Sequence, residues 1–453
     1  MRASTALFLF LAGCGSGPQN PPQTPPAEAA APFVVADDAG WCWFEDERAL
    51  VSGDTLIVGS VASGRRDPAR KGDIQVTVYD LSSGAAQTIE LHDQLQLDDH
   101  DSPALIERPD GRFLAVYAQH GNENHFYYRV SEPNQPAQWG PERQYVPSEP
   151  TRLTYQNLYL LRDENQPKGR LYDFFRGLHN SYKPSYVYSD DWGETWQTGA
   201  VVIHVPTEYR HRPYVKYASD GQASVHLFYT EGHPRNYDNS VYHVVYSKGE
   251  LHGSDGTAIA KLDQGLERPE QGTLVFAGDP NNVAWVSDLQ LDPQGRPVGV
   301  FSVQKDSAEL PDGVAGEDLR YHYARWDGEH WVEHELAYAG GKLYPGEDDY
   351  TGNIALDPAK LDTVYFSSDA DPATGAPLIS AADGKRHYEI FRGHTEDGGA
   401  SWNFTPVTRD STLDNIRPLL PSAPAGRRVL LWLRGEYRAY TDFDLQAMAL
   451  RLD

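Results

Sequence analysis

The sequence is poor in cysteine and in basic residues, and both shortages exclude classes of protein. Only two cysteines occur among 453 residues, so no disulfide framework holds the fold. Lysine plus arginine total 39 against 65 aspartate plus glutamate, which gives a net charge of −26. Such a surface repels nucleic acid and anionic lipid, and we interpret it as a device for solubility. An anionic substrate would therefore need a local basic patch.

Long apolar runs and helical periodicity are also missing. Beyond the N-terminal segment, no stretch reaches the ~18 apolar residues that a membrane-spanning helix needs. Hydrophobic residues nevertheless make up 40% of the chain and aromatic residues 11%, which is enough to bury a core. Short alternating runs bounded by Gly, Asp, Asn and Pro recur instead, and they predict an all-β protein.

One pattern, a turn followed by an alternating apolar run, returns seven times, at intervals of roughly 50 to 74 residues. A repeat of this length that contains several strands is typical of a β-propeller blade, and seven copies predict a seven-bladed β-propeller. The copies are SGDTLIVGSV from Ser52, PDGRFLAVYA from Pro109, KGRLYDFFRG from Lys168, SDGQASVHLFYT from Ser219, PQGRPVGVFSV from Pro293, AKLDTVYFSSD from Ala359 and AGRRVLLWLRG from Ala425.

Two further segments support the propeller. Ser189–Trp196 (SDDWGETW) and Thr395–Trp402 (TEDGGASW) match the Asp-box pattern S/T-x-D-x-G-x-S/T-W. In such a hairpin turn the Asp accepts backbone N–H groups, the Gly takes a positive φ and the Trp packs between sheets. Asp-boxes are structural, so they indicate the fold and not the chemistry.

The N-terminus reads as an export signal. MRASTALFLFLAGC has a basic Arg2, an apolar run and the sequence Leu-Ala-Gly-Cys, which is similar to a bacterial lipobox. We expect a signal peptide over residues 1–13, lipidation of Cys14, a Pro-rich tether over 14–32 and the propeller over 33–453. This predicts a monomeric, lipid-anchored protein of the cell envelope, in the outer membrane or periplasm, or a secreted one. Cys42 is then unpaired, and we expect it to be buried.

Three histidines lie in the segment Asp98–Arg129, DDHDSPALIERPDGRFLAVYAQHGNENHFYYR. His100 and His120 flank the run Gly111–Tyr117, which we interpret as the innermost strand of a blade. A hairpin-like return would bring both to the same mouth of the axial channel. The aspartates around His100 would orient its imidazole, whereas the alternative is a loop histidine that only bonds locally. His125 has no such neighbours and is interpreted as structural.

Tyr155 and Arg176 form a second candidate group. Tyr155 precedes one predicted strand, and Arg176 ends the next. An arginine at the end of an inner strand suits a carboxylate, because its planar fork binds both oxygens. The alternative for Arg176 is a surface ion pair.

A third group alternates along EYRHRPYVKYASDG and consists of Arg210, Arg212, Tyr214 and Lys216. Alternate residues of a strand share one face, and basic and aromatic residues on one face suit a charged sugar. The alternative is an exposed strand face in an acidic protein.

A fourth group, in TEGHPRNYDNSVYHVVY, contains His233, Asp238 and His243. These are candidate ligands for a structural zinc or calcium ion, although their spacing fits no standard site. The chemistry considered next requires no cofactor.

Together the four groups supply imidazole, phenol and guanidinium. Removal of the proton α to a sugar carboxylate needs a cation on the carboxylate, a base near C5 and an acid near the departing O4. Arg, His and Tyr meet these needs without a nucleophile or a metal. A hydrolase would use two carboxylates flanking the bond, and the many acidic residues leave that alternative open.

Six segments resemble the BNR-repeat proteins that include bacterial ulvan lyases. They are GWCWFEDERAL, DDHDSPAL, TYQN, FFRG, RPYVKYASDG and EGHP…NSVYH. The resemblance is strongest from Gly40 to about Thr257. It implies a seven-bladed propeller that cleaves ulvan, the sulfated rhamnose–uronate polysaccharide of green algae, by β-elimination to give unsaturated uronyl ends.

The resemblance also implies roles for individual residues. His100 would be the catalytic histidine, Tyr155 its partner acid or base, and Arg176 the group that neutralises the uronate carboxylate. Substrate contacts would come from His120, Arg212, Tyr214, Tyr217 and His233, and a metal near His233 and His243.

Other functions remain open on the same scaffold. Relatives release rhamnose from rhamnosyl-glucuronate, either as lyases or as α-L-rhamnosidases. A non-catalytic glycan-binding lipoprotein would need no acid–base pair. Sialidases share Asp-boxes but carry an Arg-Ile-Pro motif on their first blade, and this sequence has none.

Overall fold

A computed structural model describes Met1 and residues 31–204, 212–308, 310–311 and 313–452. Residues 2–13 of the predicted signal peptide, the lipidation site Cys14, most of the tether and Arg210 lie outside the described residues. The described part contains 31 β-strands and four short 3-10 helices, so the prediction of an all-β protein is confirmed. None of its helices has the length and apolarity needed to cross a membrane.

The strands pair into seven separate antiparallel sheets, one for each blade. The first strand of the chain, β1 (Phe33–Ala36), joins the last blade. Blade 1 contains β2 (Ala49–Ser52), β3 (Thr55–Val61), β4 (Ile74–Asp80) and β5 (Ala86–His92). Blade 2 contains β6 (Ala104–Glu107), β7 (Phe113–Tyr117), β8 (Phe126–Glu132), β9 (Gln135–Trp139) and β10 (Arg143–Tyr145). Blade 3 contains β11 (Thr151–Leu161), β12 (Arg170–Leu178), β13 (Pro184–Ser189) and β14 (Gln197–Val201).

The other four blades follow in chain order. Blade 4 contains β15 (Val215–Ser219), β16 (Ser224–Tyr229), β17 (Val241–Ser247), β18 (Glu250–His252), β19 (Ala258–Lys261) and β20 (Thr273–Phe276). Blade 5 contains β21 (Val283–Leu291), β22 (Pro297–Gln304), β23 (Leu319–Trp326) and β24 (Trp331–Gly340). Blade 6 contains β25 (Ile354–Leu356), β26 (Thr363–Ser368), β27 (Glu389–His394) and β28 (Asn403–Pro406). Blade 7 contains β29 (Asp414–Leu419), β30 (Val429–Ala439), β31 (Asp442–Arg451) and β1.

The ring is closed by the two ends of the chain. Strand β1 pairs with β31, with Phe33 opposite Ala449 and Val34 opposite Met448. The innermost strands of neighbouring blades pack against each other around the axis. The 3-10 helices lie in the connections, at Pro68–Arg70, Asp99–Asp101, Pro234–Asn236 and Pro269–Gln271.

Each of the seven sequence repeats is the second strand of one blade: β3, β7, β12, β16, β22, β26 and β30. The predicted number of blades is therefore confirmed. The interpretation of Gly111–Tyr117 as an innermost strand is wrong, because β6 is the inner strand and β7 lies behind it. Second strands are covered on both faces by neighbouring blades, which is why Phe113–Tyr117 is buried throughout and carries the clearest apolar pattern.

The Asp-boxes form the outer hairpins of blades 3 and 6. In the first, Asp191 Oδ1 accepts the N–H of Thr195 at 2.8 Å, and Trp196 packs on Phe126 of blade 2 with ring centroids 5.3 Å apart. In the second, Asp397 accepts the N–H of Ser401 at 2.9 Å. Trp402 of the second turn packs on Tyr323 of blade 5 with ring centroids 5.3 Å apart, so both turns join neighbouring blades, as the Asp-box pattern predicts.

The segment Trp41–Arg48 fills the axial channel, and we call it the plug. Its Trp43 and Phe44 rings pack on Trp285 of β21 at 5.2 and 4.6 Å. Lys216 of β15 donates from Nζ to the carbonyl oxygens of Trp43 and Glu45, at 3.0 and 2.6 Å. These aromatic side chains fill the space inside the ring of strands, so the plug forms the floor of the channel mouth above it.

The plug also carries Cys42. This residue is 2% exposed and forms no disulfide with any described residue, as the sequence predicts. Burial raises the pKa of its thiol, so the group stays protonated near neutral pH.

Candidate active site

Two histidines of blade 2 meet at the channel mouth. His100 lies in the 3-10 turn Asp99–Asp101 just before β6, and His120 follows β7. Because β6 and β7 are antiparallel, the start of one and the end of the other lie at the same end of the blade. The two imidazole rings stack with centroids 4.1 Å apart and planes 19° from parallel.

A single carboxylate holds both rings. Asp98 Oδ1 lies 2.5 Å from Nδ1 of His100, and its Oδ2 lies 2.9 Å from Nδ1 of His120. Burial opposes ionisation of Asp98, but the two histidines outweigh it and lower the pKa of this carboxyl below its ordinary value. An ionised Asp98 therefore fixes the orientation of both imidazoles and leaves their Nε2 atoms for other partners.

The two imidazoles differ in exposure and in charge. The side chain of His100 is 3% exposed, whereas that of His120 is 22% exposed. Burial alone would lower the pKa of His100, but the acidic groups packed around it raise it well above its ordinary value. Those groups are Cys42, Tyr155, Asp98 and Asp99, and because the Cys42 thiol and the Tyr155 phenol are protonated near neutral pH, the ionised Asp98 carries the effect there.

His120 shifts in the opposite direction. Burial, followed by the charge of His100, lowers the pKa of His120 to about 4. At neutral pH the more exposed ring is therefore neutral, while the buried ring beneath it is the charged one.

Tyr155 joins the histidines from blade 3. Its ring centroid lies 5.2 Å from that of His100 and 5.7 Å from that of His120. The register of β11 shifts on both sides of Thr154, and Tyr155 takes a φ of 63° in this irregular stretch. A left-handed conformation is unfavourable for a tyrosine, so the surrounding contacts hold it there and direct the ring to the channel.

The Tyr155 hydroxyl remains a proton donor. Burial raises its pKa well above the ordinary value, although the positive charges of Arg176 and His100 oppose that shift. A phenol with a raised pKa stays protonated throughout the neutral range.

Arg176 of β12 lies over these rings. Its Cζ is 4.3 Å from the centroid of Tyr155 and 5.4 Å from that of Tyr214. The residue is 3% exposed, and its Nε and Nη1 have no acceptor among the described residues. Buried donors without partners are costly, so this guanidinium suits an acceptor that arrives with a ligand, above all a planar carboxylate.

A second basic group adjoins the first. His233 accepts the backbone N–H of Arg235 at 3.1 Å, and its ring lies 5.7 Å from that of Tyr214. Burial, with the charges of Arg235, Arg212 and Arg176, holds the pKa of His233 well below its ordinary value.

The arginines of this second group differ in their partners. Glu347 pairs with Arg235 at 2.7 Å, and the Nε of Arg212 has no acceptor in the described structure. Positive charge thus collects at this mouth although the whole chain is strongly negative.

Two further predicted residues lie outside the group of rings around Arg176. Tyr217 stacks on Phe174 with centroids 5.0 Å apart, between blades 3 and 4, because alternation along β15 turns its ring away from the face that carries Lys216, but it still lines a small cavity with Tyr155, Arg176 and Tyr214. His243 of β17 bonds to His226 at 3.0 Å and to Ser254 at 2.8 Å. The predicted pairing of His233 with His243 around a metal is therefore wrong, and no potential metal cluster of the described residues contains both.

Two groups with metal-ligand chemistry do occur at the mouth. One combines Cys42, Asp99 and His100, and the other Asp98, His100 and His120. Hydrogen bonds of Asp98 to both imidazoles account for the second group. In the first, Asp99 Oδ2 already accepts from Tyr437 at 2.8 Å and pairs with Arg417.

Sequence reasoning missed several residues of the site. Phe44 of the plug packs on Tyr214 at 4.5 Å, and Tyr440 stands edge-on to His100 at 5.2 Å. Arg235 lies between His233 and His243 of the fourth group, and its sequence position alone does not mark it as a site residue. The aromatic plug sequence was a visible signal for Phe44, whereas Tyr440 lies in a plain turn between β30 and β31 that carried none.

The seven sheets and the two Asp-box hairpins define the class of protein, which is a seven-bladed β-propeller with Asp-box turns. The model of the BNR repeat-containing family matches residues 67–339. The chain belongs to the BNR repeat-containing family. No curated protein matches the sequence.

Two solved structures are similar over nearly the whole chain. One is an ulvan lyase of polysaccharide lyase family PL25, and the other is the same kind of enzyme bound to -[GlcA(1-4)Rha3S]-. Each has a TM-score of 0.63 and 15% sequence identity, covering 91% of this chain and 94% of the other. At this identity the likeness shows the shared propeller fold.

Proposed function

We propose that this protein is a polysaccharide lyase that breaks a glycosidic bond beside a uronate by β-elimination. One observation carries the proposal. A histidine pair and Tyr155 lie together at the channel mouth, beneath an Arg176 whose Nε and Nη1 have no acceptor among the described residues. These are the proton acceptor, proton donor and carboxylate partner that elimination requires.

The steps follow from the charge states. Arg176 binds the uronate carboxylate through its free N–H groups and stabilises the negative charge that develops when C5 loses its proton. The neutral ring of His120 accepts that proton, which needs an unprotonated imidazole. The electron pair forms the C4–C5 double bond as the C4–O4 bond breaks, and the Tyr155 hydroxyl donates its proton to O4.

His100 takes a different role from the one that the family resemblance implies. It is the more buried imidazole, and its raised pKa leaves it protonated at neutral pH, so it has no free nitrogen lone pair to accept a proton there. We propose that its charge, held by Asp98, positions His120 and stabilises the phenolate that Tyr155 becomes after donation. His120 is then the base, and His100 is a positioning residue.

The substrate class follows from the basic groups. Two clusters of positive charge, at Arg176 and at Arg212 with Arg235, suit a polymer that carries both carboxylates and a second anionic group such as sulfate. The similar solved enzyme binds glucuronate linked to a sulfated rhamnose. These points support ulvan as the polysaccharide, and His233 and Tyr214 as contacts to its sugars.

The decisive experiment is incubation of the purified protein with ulvan. Elimination gives ultraviolet absorbance from the conjugated C4–C5 double bond, together with new reducing ends. A rhamnosidase would release rhamnose without that absorbance. A glycan-binding protein would retain ulvan on an affinity gel and release nothing, and either of these outcomes would overturn the lyase proposal.

We also propose that the chain is anchored by lipid on Cys14, a proposal that rests on the lipobox sequence alone. Cys14→Ser should block acylation and move the protein out of the membrane fraction. Wild-type protein that lacks acyl groups in its bacterial host would contradict it.

A further inference from the structure

The loop between β24 and β25 forms one wall of the mouth. Within it, Tyr344 packs on Tyr437 of blade 7 with centroids 5.5 Å apart. Glu347 holds Arg235 of blade 4 through contacts of 2.7 and 2.9 Å. The loop therefore connects blade 7 with the second basic group, which belongs to blade 4.

The same loop carries a carboxylate without a partner. Asp349 is 3% exposed, and neither of its oxygens has a hydrogen-bond donor among the described residues. Its carboxyl lies within hydrogen-bond reach of the carboxyl of Asp348, which accepts the N–H of Gly313 at 3.0 Å. Burial and then the charge of Asp348 raise the pKa of Asp349 well above its ordinary value. Two buried carboxyl groups in contact need either a shared proton or a cation.

A second polar group without a partner lines the same cavity. Gln304, at the end of β22, is 3% exposed, and its amide nitrogen has no acceptor within the described residues. The cavity has a volume of about 230 Å³ and is also lined by Asp348, Asp349, Asp238 and Ser307. A half-turn of the Gln304 side chain presents its oxygen to the carboxylates instead.

We propose that Asp348, Asp349 and Gln304 form a divalent-cation site, and that its ion is Ca²⁺. Carboxylate and amide oxygens supplemented by water are the ligands of this hard ion, which tolerates irregular geometry. No histidine or cysteine is among the described residues that line the cavity, so the ligands that zinc prefers are lacking. The nearby guanidinium of Arg235 is already paired with Glu347, which limits its repulsion of the ion.

The ion would have a structural effect. It would neutralise the carboxyl pair and fix the loop that places Glu347 on Arg235, beside His233. This site is independent of the proposed lyase activity, because it would exist in the free protein.

The test is a Ca²⁺ titration of the full chain after treatment with EDTA. Calorimetry should show saturable binding, and the thermal midpoint should rise by about 2–5 °C at ~100-fold excess over Kd. Mg²⁺ should give a smaller shift, because it demands regular octahedral geometry. Neither the calorimetry nor the thermal midpoint needs a substrate, so both measurements test the cation site whether or not the protein cleaves ulvan.

Two variants locate the effect. Asp349→Asn should abolish both the binding and the shift, yet keep the wild-type midpoint in EDTA, since an amide replaces a protonated acid of the same shape. Asp93→Asn is the matched control, because Asp93 belongs to another acidic cluster, with Asp73 and Glu90. It should respond to Ca²⁺ as the wild type does.

Three results would overturn the site. A wild-type protein that does not respond to Ca²⁺ would show that a shared proton satisfies the pair. A wild-type response in Asp349→Asn would place the ion elsewhere, as would loss of the response in Asp93→Asn. If Asp349→Asn unfolds, Gln304→Leu, which removes one ligand oxygen, should weaken Ca²⁺ binding, and unchanged affinity would count against the proposal.

Discussion

Buried cations occur both at the plug and at the mouth above it, but Lys216 and Arg48 at the plug have protein acceptors, whereas Arg176 at the mouth has two nitrogens without one among the described residues. Lys216 donates to two carbonyl oxygens of the plug, and Arg48 pairs with Glu45 at 3.0 Å and donates to the carbonyl of Gln156 at 2.7 Å. At the mouth, Arg176 keeps two N–H groups without acceptors among the described residues. Arginine is thus a structural anchor at Arg48 and an open binding group at Arg176. The presence or absence of acceptors for its N–H groups distinguishes the two roles.

The largest effect should come from the mouth. Tyr155→Phe removes one hydroxyl and keeps the ring, so elimination should fall by about 10²- to 10⁴-fold as the proton donor is lost. The rate is measured from the ultraviolet absorbance, with the thermal midpoint as a check on folding. Tyr188→Phe is the matched control, because the Tyr188 hydroxyl bonds to Gln197 at 3.0 Å in the outer hairpin of blade 3, and the rate should change less than about twofold. Activity near the wild-type level in Tyr155→Phe would remove this residue from the chemistry.

The next largest effect should come from the plug. Arg48→Met leaves Glu45 buried without its ionic partner, which should destabilise the fold by about 3–5 kcal/mol. Urea unfolding measures the loss, and activity per folded molecule should change little. If the free energy of unfolding of Arg48→Met is unchanged while its activity is lost, the assignment of Arg48 as a structural anchor is wrong.

Arg176 should show the reverse behaviour. Arg176→Ala should reduce kcat/KM by roughly 30- to 1000-fold, because one charge-assisted contact to the carboxylate is lost. Arg176→Lys should restore only part of the rate, since an ammonium lacks the planar fork. The loss of stability should be smaller than in Arg48→Met, because Nε and Nη1 leave no acceptor behind and only the contacts with rings such as Tyr155 and Tyr214 are lost. Wild-type kinetics in both variants would refute the assignment.

The pH profile should separate the two histidines. If His120 is the base, kcat/KM should stay level from mildly alkaline pH down to about pH 5, then fall as the ring is protonated near its pKa of about 4. If His100 is the base, its raised pKa requires the opposite, a rate that is low at neutral pH and rises through alkaline pH. A rising alkaline limb would therefore return the role to His100.

The fold was predictable because its signal lies in covered strands. All seven repeats coincide with second strands, whose burial on both faces leaves a strong apolar pattern. Some inner strands, such as the four-residue β6, are too short to show a clear alternating pattern, so the sequence repeats did not reveal them. The blade count followed from the repeats, while the order of strands within a blade did not.

The site was predictable only where neighbours lie close in sequence or where a family resemblance applies. His100, Tyr155 and Arg176 do come together, on the adjoining blades 2 and 3. Strand alternation could have separated Tyr214 from Tyr217. The unequal pKa values of the two histidines depend on groups from blade 3 and from the plug, which no local pattern reports.

Closure of the ring by β1 and β31 has a consequence for the order of folding. Blade 7 needs both ends of the chain, and the plug follows β1 directly, so the floor of the site is seated only once the last strand has been made. Pairing of such sequence-distant partners is slow, because the whole intervening chain must be ordered first. A nascent or truncated chain can therefore carry six complete blades and still lack an active centre.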